Sequence, residues 1–221
     1  MAIDTYAKLQ SEIQDTIDRD DLLADVTAYA SGNIEGAITR AIRRCELRIQ
    51  RTLRVRDMET STTIAFVSGT TTIALPSDFL SARLFYLNID PIAILKQDTL
   101  ENVFSSYPNA AVAQPVAFAV TGSNMVARPV SDGSYSAPFY YYQSIPALTT
   151  ANTSNWLLVK AVDAYLYGSC LELMPHIHND PRIQTWKGFF DEAISLLEED
   201  DNAAKWNGVL VSSVLPIQIV V

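Results

Sequence analysis

The runs Pro138-Phe-Tyr-Tyr-Tyr-Gln143 and Asn155-Trp-Leu-Leu158 lie on either side of the change in periodicity that decides the fold. The first run is rich in aromatic residues, which favour β-strands. The second begins at a helix-capping residue and opens an apolar pattern that predicts a helix as far as Met174. A strand-forming region therefore gives way to a helical one between these two runs.

Helical periodicity also covers the beginning of the chain. Apolar residues recur there at spacings of three and four, which predicts a first helix with an apolar stripe of Tyr6, Leu9, Ile13 and Ile17. A stronger helix is predicted from about Asn33 to Arg56, because its apolar residues keep to one face. After Asp180-Pro181 a further helix is expected, with an apolar face of Trp186, Phe189, Phe190, Ala193, Ile194 and Leu197.

The middle of the chain alternates apolar and polar residues, as half-buried strands do. Ser68-Gly69-Thr70 is a turn signal, which predicts a hairpin from about Ile64 to Leu75. A short helix is expected from Thr99 to Tyr107, with Asp98 as its cap. Further strands are predicted at 79–87, 116–120, 125–130 and 138–143. Short strands at this spacing favour a compact antiparallel module.

These patterns predict an α+β fold for a chain of 221 residues. N- and C-terminal helices would form a helical bundle, into which a small antiparallel β module is inserted, and an extended arm would follow. The predicted segments are the N-terminal helices, the β-rich insertion, the C-terminal helical hairpin that completes the bundle, and the C-terminal arm, at residues 1–58, 59–150, 151–205 and 206–221.

The end of the chain is apolar and β-branched, and no charged residue follows Lys205. Segments of this kind pair readily with exposed strand edges, and this one is too short to cross a bilayer as a helix. We therefore expect an arm that completes its folding on another subunit of an assembly. Its candidate binding residues are Val209, Leu210, Val211, Val214, Leu215, Pro216, Ile217, Ile219, Val220 and Val221.

Basic residues are concentrated on one predicted helix, although the formal net charge is -9 and disfavours general attraction to nucleic acid. Three interpretations of this basic face remain open. It is a solvated face balanced by acidic residues of another helix, a surface that pairs with an adjacent subunit, or a surface that faces DNA phosphates. The residues concerned are Arg40, Arg43, Arg44, Arg48 and Arg51.

Four consecutive carboxylates, Glu198, Glu199, Asp200 and Asp201, lie near the end of the last predicted helix. Divalent cations need oxygen ligands that converge from several directions, which one helical run does not supply. The cluster is interpreted as a solvated face or as an acidic interface for a basic neighbouring surface.

Signals for catalysis are weak, and we expect no enzyme, no metal and no cofactor. The sequence lacks a glycine-rich phosphate loop and a nucleophile elbow. His176 and His178 are expected at an exposed loop tip, although two histidines so close together could share a metal. Cys45 and Cys170 fall on the apolar sides of predicted helices, so buried thiols are expected rather than a disulfide. Neither a signal peptide nor a membrane-spanning helix is predicted.

An ordered set of short motifs resembles the head-to-tail adaptor proteins of tailed bacteriophages, of the podovirus-like and gene-transfer-agent neck type. The resemblance covers the chain from the first helix to about Gly208. It is carried by Leu75-Pro-Ser-Asp-Phe79-Leu80 with Arg83, Tyr141-Tyr142-Gln-Ser-Ile145-Pro146-Ala147-Leu148-Thr149, Asn155-Trp156-Leu157-Leu158, Asp163-Ala-Tyr165-Leu-Tyr167-Gly168, Asp180 with Arg182, Trp186 with Phe190, and Ala193-Ile194.

This resemblance implies a structural virion protein that forms a homo-oligomeric ring, typically a dodecamer, below the portal protein. The ring would join the DNA-filled head to the tail and continue the channel for packaged double-stranded DNA. The implied partners are other copies of the chain, the portal, and tail, nozzle or tail-fibre proteins, with no membrane. The implied location is the neck of the virion, after synthesis in the host bacterial cytoplasm.

Two other interpretations remain open. A tail-completion or stopper ring would share the location but not the portal contact. A cytoplasmic β-rich binding module would use exposed tyrosines of the 140–142 run to bind a ligand. An apolar arm distinguishes the classes, because a free binding module has no use for one.

Overall fold

The computed structural model describes residues 3–18, 36–109, 111–174 and 181–206. The chain divides into two compact units. A helical unit comprises Met1–Cys45 and Leu157–Val221, and a β-rich unit comprises Glu46–Trp156. The α+β fold class predicted from the sequence is confirmed. The boundaries between the two units fall within helices, whereas the predicted boundaries fall between helices and strands. The four predicted segments remain a prediction.

The helical unit begins with α1, Tyr6–Ile17, whose buried residues are the predicted stripe Tyr6, Leu9, Ile13 and Ile17. Asp18 ends α1 in the left-handed conformation at φ 60°, and its N–H donates to the carbonyls of Gln14 and Asp15. The phenol Oη of Tyr6 donates to Thr39 Oγ1 over 3.0 Å. The first predicted helix is confirmed.

Helix α2 spans Ala37–Thr52 and ends earlier than predicted. The guanidinium of Arg54 donates to the carbonyls of Gln50 and Leu53 at 2.6 Å each, so it satisfies acceptors that the helix end leaves open. Val55 is extended, at φ -116° and ψ 161°, and a short 3₁₀ helix follows at Arg56–Met58. The predicted helix end at Arg56 was therefore wrong, because the backbone leaves the helical region before it.

The predicted helix from 155 to 174 is interrupted. The structure has α4 at Trp156–Lys160 and α5 at Val162–Glu172. Ala161 separates them with φ -141° and ψ 69°, outside the helical region. The prediction of one continuous helix was wrong, and no glycine or proline marks the interruption in the sequence.

Helix α6, Ile183–Trp206, packs against α5 and confirms the predicted last helix. Its buried residues include Trp186, Phe190 and Ala193. A Cβ added at Gly168 of α5 would overlap Cys45 Sγ and would lie 2.8 Å from the Phe190 ring. Only a residue without a side chain therefore fits where α2, α5 and α6 meet. The cap predicted at Asp180 lies outside the described residues.

The β-rich unit contains two four-stranded sheets, with strand orders β1-β8-β3-β4 and β2-β7-β6-β5. The strands are β1 Glu59–Phe66, β2 Thr72–Ala74, β3 Phe79–Leu87, β4 Ala93–Ile94, β5 Lys96–Gln97, β6 Ala117–Thr121, β7 Asn124–Arg128 and β8 Tyr135–Gln143. The predicted strands at 79–87, 116–120, 125–130 and 138–143 are confirmed.

The predicted hairpin from Ile64 to Leu75 was wrong. Strand β1 pairs with β8 along its whole length, whereas β2 pairs with β7 in the other sheet. The Ser68-Gly69-Thr70 turn instead carries the chain between sheets, and Gly69 N–H donates to the Ser131 carbonyl over 2.8 Å. The module is also not wholly antiparallel, since β5 pairs with β6 in parallel.

One hydrophobic cluster joins side chains from both sheets. The Phe85 ring lies 5.1 Å from that of Phe139 and 5.3 Å from that of Phe118, each in edge-on geometry. Residues of β1, β3, β6, β7 and β8 contribute to this cluster. The sheets therefore share one aromatic core.

Helix α3, Leu100–Ser106, is capped by Thr99, whose Oγ1 accepts from the N–H of Asn102. The predicted cap, Asp98, was wrong by one residue. Its carboxylate accepts from the Thr99 N–H and from Asn102 Nδ2 instead.

Candidate interaction surfaces

The arginines predicted as a basic face follow one side of α2. Arg43, Arg44, Arg48 and Arg51 are exposed, and Arg40 is half-buried. Arg44 and Arg51 form no hydrogen bond or ion pair with any residue that the structure describes. The basic face therefore offers at least two arginines that are available to a partner.

The opposite side of α2 forms hydrogen bonds with other residues of the same chain. Glu46 is buried, and its carboxylate accepts from the Leu148 N–H over 2.8 Å. Gln50 Nε2 donates to the Ile145 carbonyl over 3.2 Å. Sequence reasoning missed Glu46, although a carboxylate within the apolar stripe of a helix signals a buried polar anchor. These bonds fix which side of α2 faces outward.

The acidic cluster of α6 does not behave as a unit. Glu198, Glu199 and Asp200 are exposed, whereas Asp201 is buried and pairs with Lys205 Nζ at 2.5 Å. The pair joins residues one helical turn apart, so Lys205 neutralises that carboxylate within α6. Three of the four predicted acidic residues remain accessible to a partner.

Exposed leucines interrupt both charged surfaces, and sequence reasoning did not single them out. Leu47 lies within the basic face of α2 and is 50% exposed. Leu196 precedes the acidic cluster of α6 and is 55% exposed. A signal existed in the sequence for Leu47, because it departs from the apolar stripe of α2 and falls among arginines. Leu196 lies at the edge of the apolar face of α6, two turns after Phe189.

The outer face of the β1-β8-β3-β4 sheet carries aromatic residues. Tyr140 is exposed while Tyr141 is buried, because successive side chains of a strand point to opposite faces. The Tyr140 ring stacks on that of Tyr86 with centroids 6.3 Å apart, and Leu84 lies opposite Tyr140 in the strand register. Desolvation and the neighbouring Tyr140 raise the pKa of Tyr86 above its ordinary value.

The chain matches the family model of the SU10 adaptor protein over residues 4–213. That range includes both compact units and nearly the whole sequence. The chain belongs to the SU10 adaptor family. Membership indicates a structural adaptor protein of a bacteriophage particle, which contacts other virion components. A comparison with curated proteins finds no match.

The match of this adaptor to its family extends beyond Gly208, where the recognisable short motifs end. It includes the first residues of the predicted arm but not Val214 to Val221. Apart from Trp206, which ends α6, the arm lies outside the residues that the structure describes, so its candidate binding residues remain predictions.

The histidines, cysteines and acidic residues bear on the predictions about metals and disulfides. In the described ranges, no three His, Cys, Asp or Glu side chains are grouped as metal ligands. His176 and His178 lie outside those ranges. Cys45 and Cys170 are buried thiols, as predicted, and burial raises the pKa of the Cys170 thiol to about 12. No described helix is long and apolar enough to cross a membrane.

Proposed function

We propose that the adaptor forms a closed ring below the portal protein, joins the DNA-filled head to the tail, and continues the DNA channel. The ring would be a dodecamer located in the neck of the virion, with tail, nozzle or tail-fibre proteins on its far side. The protein acts as a scaffold and not as an enzyme.

The sequence after Lys205 is the observation that carries this proposal. Family membership indicates an adaptor protein, and this uncharged, β-branched segment would provide its means of attachment. Strands such as 209–214 and 216–221 would add to a sheet edge or fill a groove on the portal. Pro216 lacks an N–H donor, so it fits a strand start or an edge position.

Attachment through many arms makes a weak contact sufficient. Each arm loses conformational entropy when it orders, so a single adaptor binds weakly. A closed ring multiplies the attachment, because the second and later arms bind at high effective concentration. We therefore expect monomers in isolation and a complete ring on the portal.

Native mass measurement tests this function. The adaptor is measured alone and after mixing with the portal ring encoded in the same genome. A discrete complex of the portal with about a dozen adaptors supports the proposal. A stable monomer in both samples overturns it, and a ring that forms without the portal favours a tail-completion or stopper role.

A truncation tests the role of the arm separately. Deletion of residues 209–221 should leave the thermal unfolding of the adaptor unchanged and abolish portal binding. A second variant keeps the arm length but replaces Val211, Val214, Ile217 and Val220 by serine, and it should also lose portal binding. Portal binding by either variant at the wild-type level would contradict the assignment of the arm.

A further inference from the structure

Two exposed helix surfaces of this chain have matching patterns of charge and apolarity. On α2, Arg44, Leu47 and Arg51 follow one another at spacings of three and four residues. On α6, read from its C-terminal end, Glu199, Leu196 and Glu192 follow one another at the same spacings. Residues at these spacings share one face of a helix.

All six side chains are exposed, and no hydrogen bond or ion pair occupies them in the part of the chain that the structure describes. The buried residues of α6, Trp186, Phe190 and Ala193, lie on another side of that helix. Leu47 likewise lies away from the buried residues of α2. Neither surface is thus used by the residues that the structure describes.

We infer that Arg44, Leu47 and Arg51 of one subunit dock antiparallel on Glu199, Leu196 and Glu192 of a second copy. This interface rests on the proposed ring, for which it supplies the contact between neighbours. Leu47 would face Leu196 at its centre. Arg44 would face Glu199 and Arg51 would face Glu192 at its two ends, where each arginine is about 10 Å from the other along the helix axis.

Charge and geometry both favour a second copy over DNA as the occupant. The α2 surface is cationic and the α6 surface anionic, so the two attract each other while each repels its own kind. An exposed leucine at the centre of the surface contributes nothing to the binding of phosphates, whereas in a helix interface it packs against the facing helix. Two different surfaces of one chain also make a head-to-tail contact, which is the type of contact from which closed rings are built.

The inference divides the predicted charged clusters. Glu199 takes part in the interface, whereas Glu198 lies toward the other side of α6 and Asp201 is buried beside Lys205. Asp191 and Glu198 are both exposed and repeat the seven-residue spacing of Glu192 and Glu199 on that other side. They provide a control with the same charge, spacing and helix.

Charge exchange tests the interface on the wild-type portal. The variant Glu192→Arg with Glu199→Arg, and the variant Arg44→Glu with Arg51→Glu, should each lose the closed ring in native mass measurements. Combining all four substitutions should restore it, because the attraction is re-established with its polarity exchanged. The control Asp191→Arg with Glu198→Arg should assemble like the wild type.

Covalent trapping tests the same contact without a change of charge. Leu47→Cys and Leu196→Cys are prepared as separate proteins, mixed with portal, and treated with a short thiol cross-linker. A cross-linked dimer of the two variants is expected. In the control, the Leu47→Cys protein is mixed with a Val159→Cys protein, whose substituted site is 72% exposed. No cross-linked dimer is expected from this mixture. The native cysteines are buried and contribute little background.

The outcomes separate the interface from the proposed function. A wild-type adaptor that stays monomeric with the portal overturns the ring and the interface together. Normal rings from the two reversed variants, with no cross-linked dimer, overturn the interface and leave the ring standing. Equal loss from the control pair overturns the interface too, since net charge would then explain the effect. DNA binding that changes while assembly is normal assigns the basic face to DNA.

Discussion

The β-rich unit and the helical unit are stabilised by different kinds of packing. The β-rich unit surrounds Phe139 with other aromatic rings, so its core depends on large side chains that touch one another. The helical unit instead uses Gly168 to bring Cys45 and Phe190 close to a helix backbone. The comparison teaches that one core should be sensitive to lost volume and the other to added volume.

Removing an aromatic ring from the β-rich core should have the largest effect. Phe139→Ala is expected to lower the free energy of unfolding by about 3–5 kcal/mol, because the cavity cannot be refilled by neighbouring rings. Tyr140→Ala, at the exposed neighbouring position, should cost about 1 kcal/mol. Urea unfolding of both variants measures the difference, and equal costs would contradict the role of Phe139 in the core.

Adding one methyl group should be the most damaging small change in the helical unit. Gly168→Ala is expected to lower the free energy of unfolding by about 1–3 kcal/mol, since the new Cβ would overlap Cys45 Sγ. Gly188→Ala is the matched control in α6, where a Cβ would meet nothing within 4 Å. That control should stabilise the protein by about 0.5–1 kcal/mol. Thermal unfolding of the pair distinguishes close packing from glycine flexibility.

Alkaline pH should weaken the β-rich unit through Tyr141. Burial, together with a 3.0 Å hydrogen bond donated to Asp78 Oδ1, raises the pKa of Tyr141 to about 12. A pKa that is higher in the folded state favours folding of the protonated form, so this contribution is complete below pH 10 and disappears as the pH approaches 12. Tyr141→Phe should cost about 1 kcal/mol at neutral pH and flatten the alkaline loss. Unfolding series at several pH values would show an unchanged slope if the assignment is wrong.

The smallest expected effect is a change in the rate of thiol labelling, which tests whether the two units open independently of each other. Cys45 and Cys170 both belong to the helical unit, so their labelling reports its opening alone. Phe139→Ala should leave the labelling rate near the wild-type value, whereas Gly168→Ala should raise it. A rate that rises equally in both variants would mean that the two units open together.

Local structure could be predicted from the sequence where a short-range pattern determines it. The stripe of α1 and the alternation of Tyr140 and Tyr141 are examples, because neighbours in sequence establish both periods. The partner of β1 could not be predicted, since β8 lies far along the chain and the intervening turn looks like a hairpin. The break at Ala161 has no local signal either.

The candidate surfaces show the same division. Helical spacing places the arginines of α2 on one side, and the structure exposes Arg44 and Arg51 there. The burial of Asp201 could not be predicted from a run of four carboxylates, because it depends on how α6 packs. The contributions of the arm, the basic face and the acidic cluster to assembly remain predictions that the proposed experiments test.

The division of the helical unit between two distant parts of the sequence has a consequence for synthesis. Residues 46–156 leave the ribosome before Leu157 and can fold while the rest is still being made. The segment that ends at Cys45 must wait for its partners α5 and α6, and at about 5–20 residues per second that delay is on the order of ten seconds. During that delay the apolar stripe of α1 lacks the cover that α5 gives it in the folded chain.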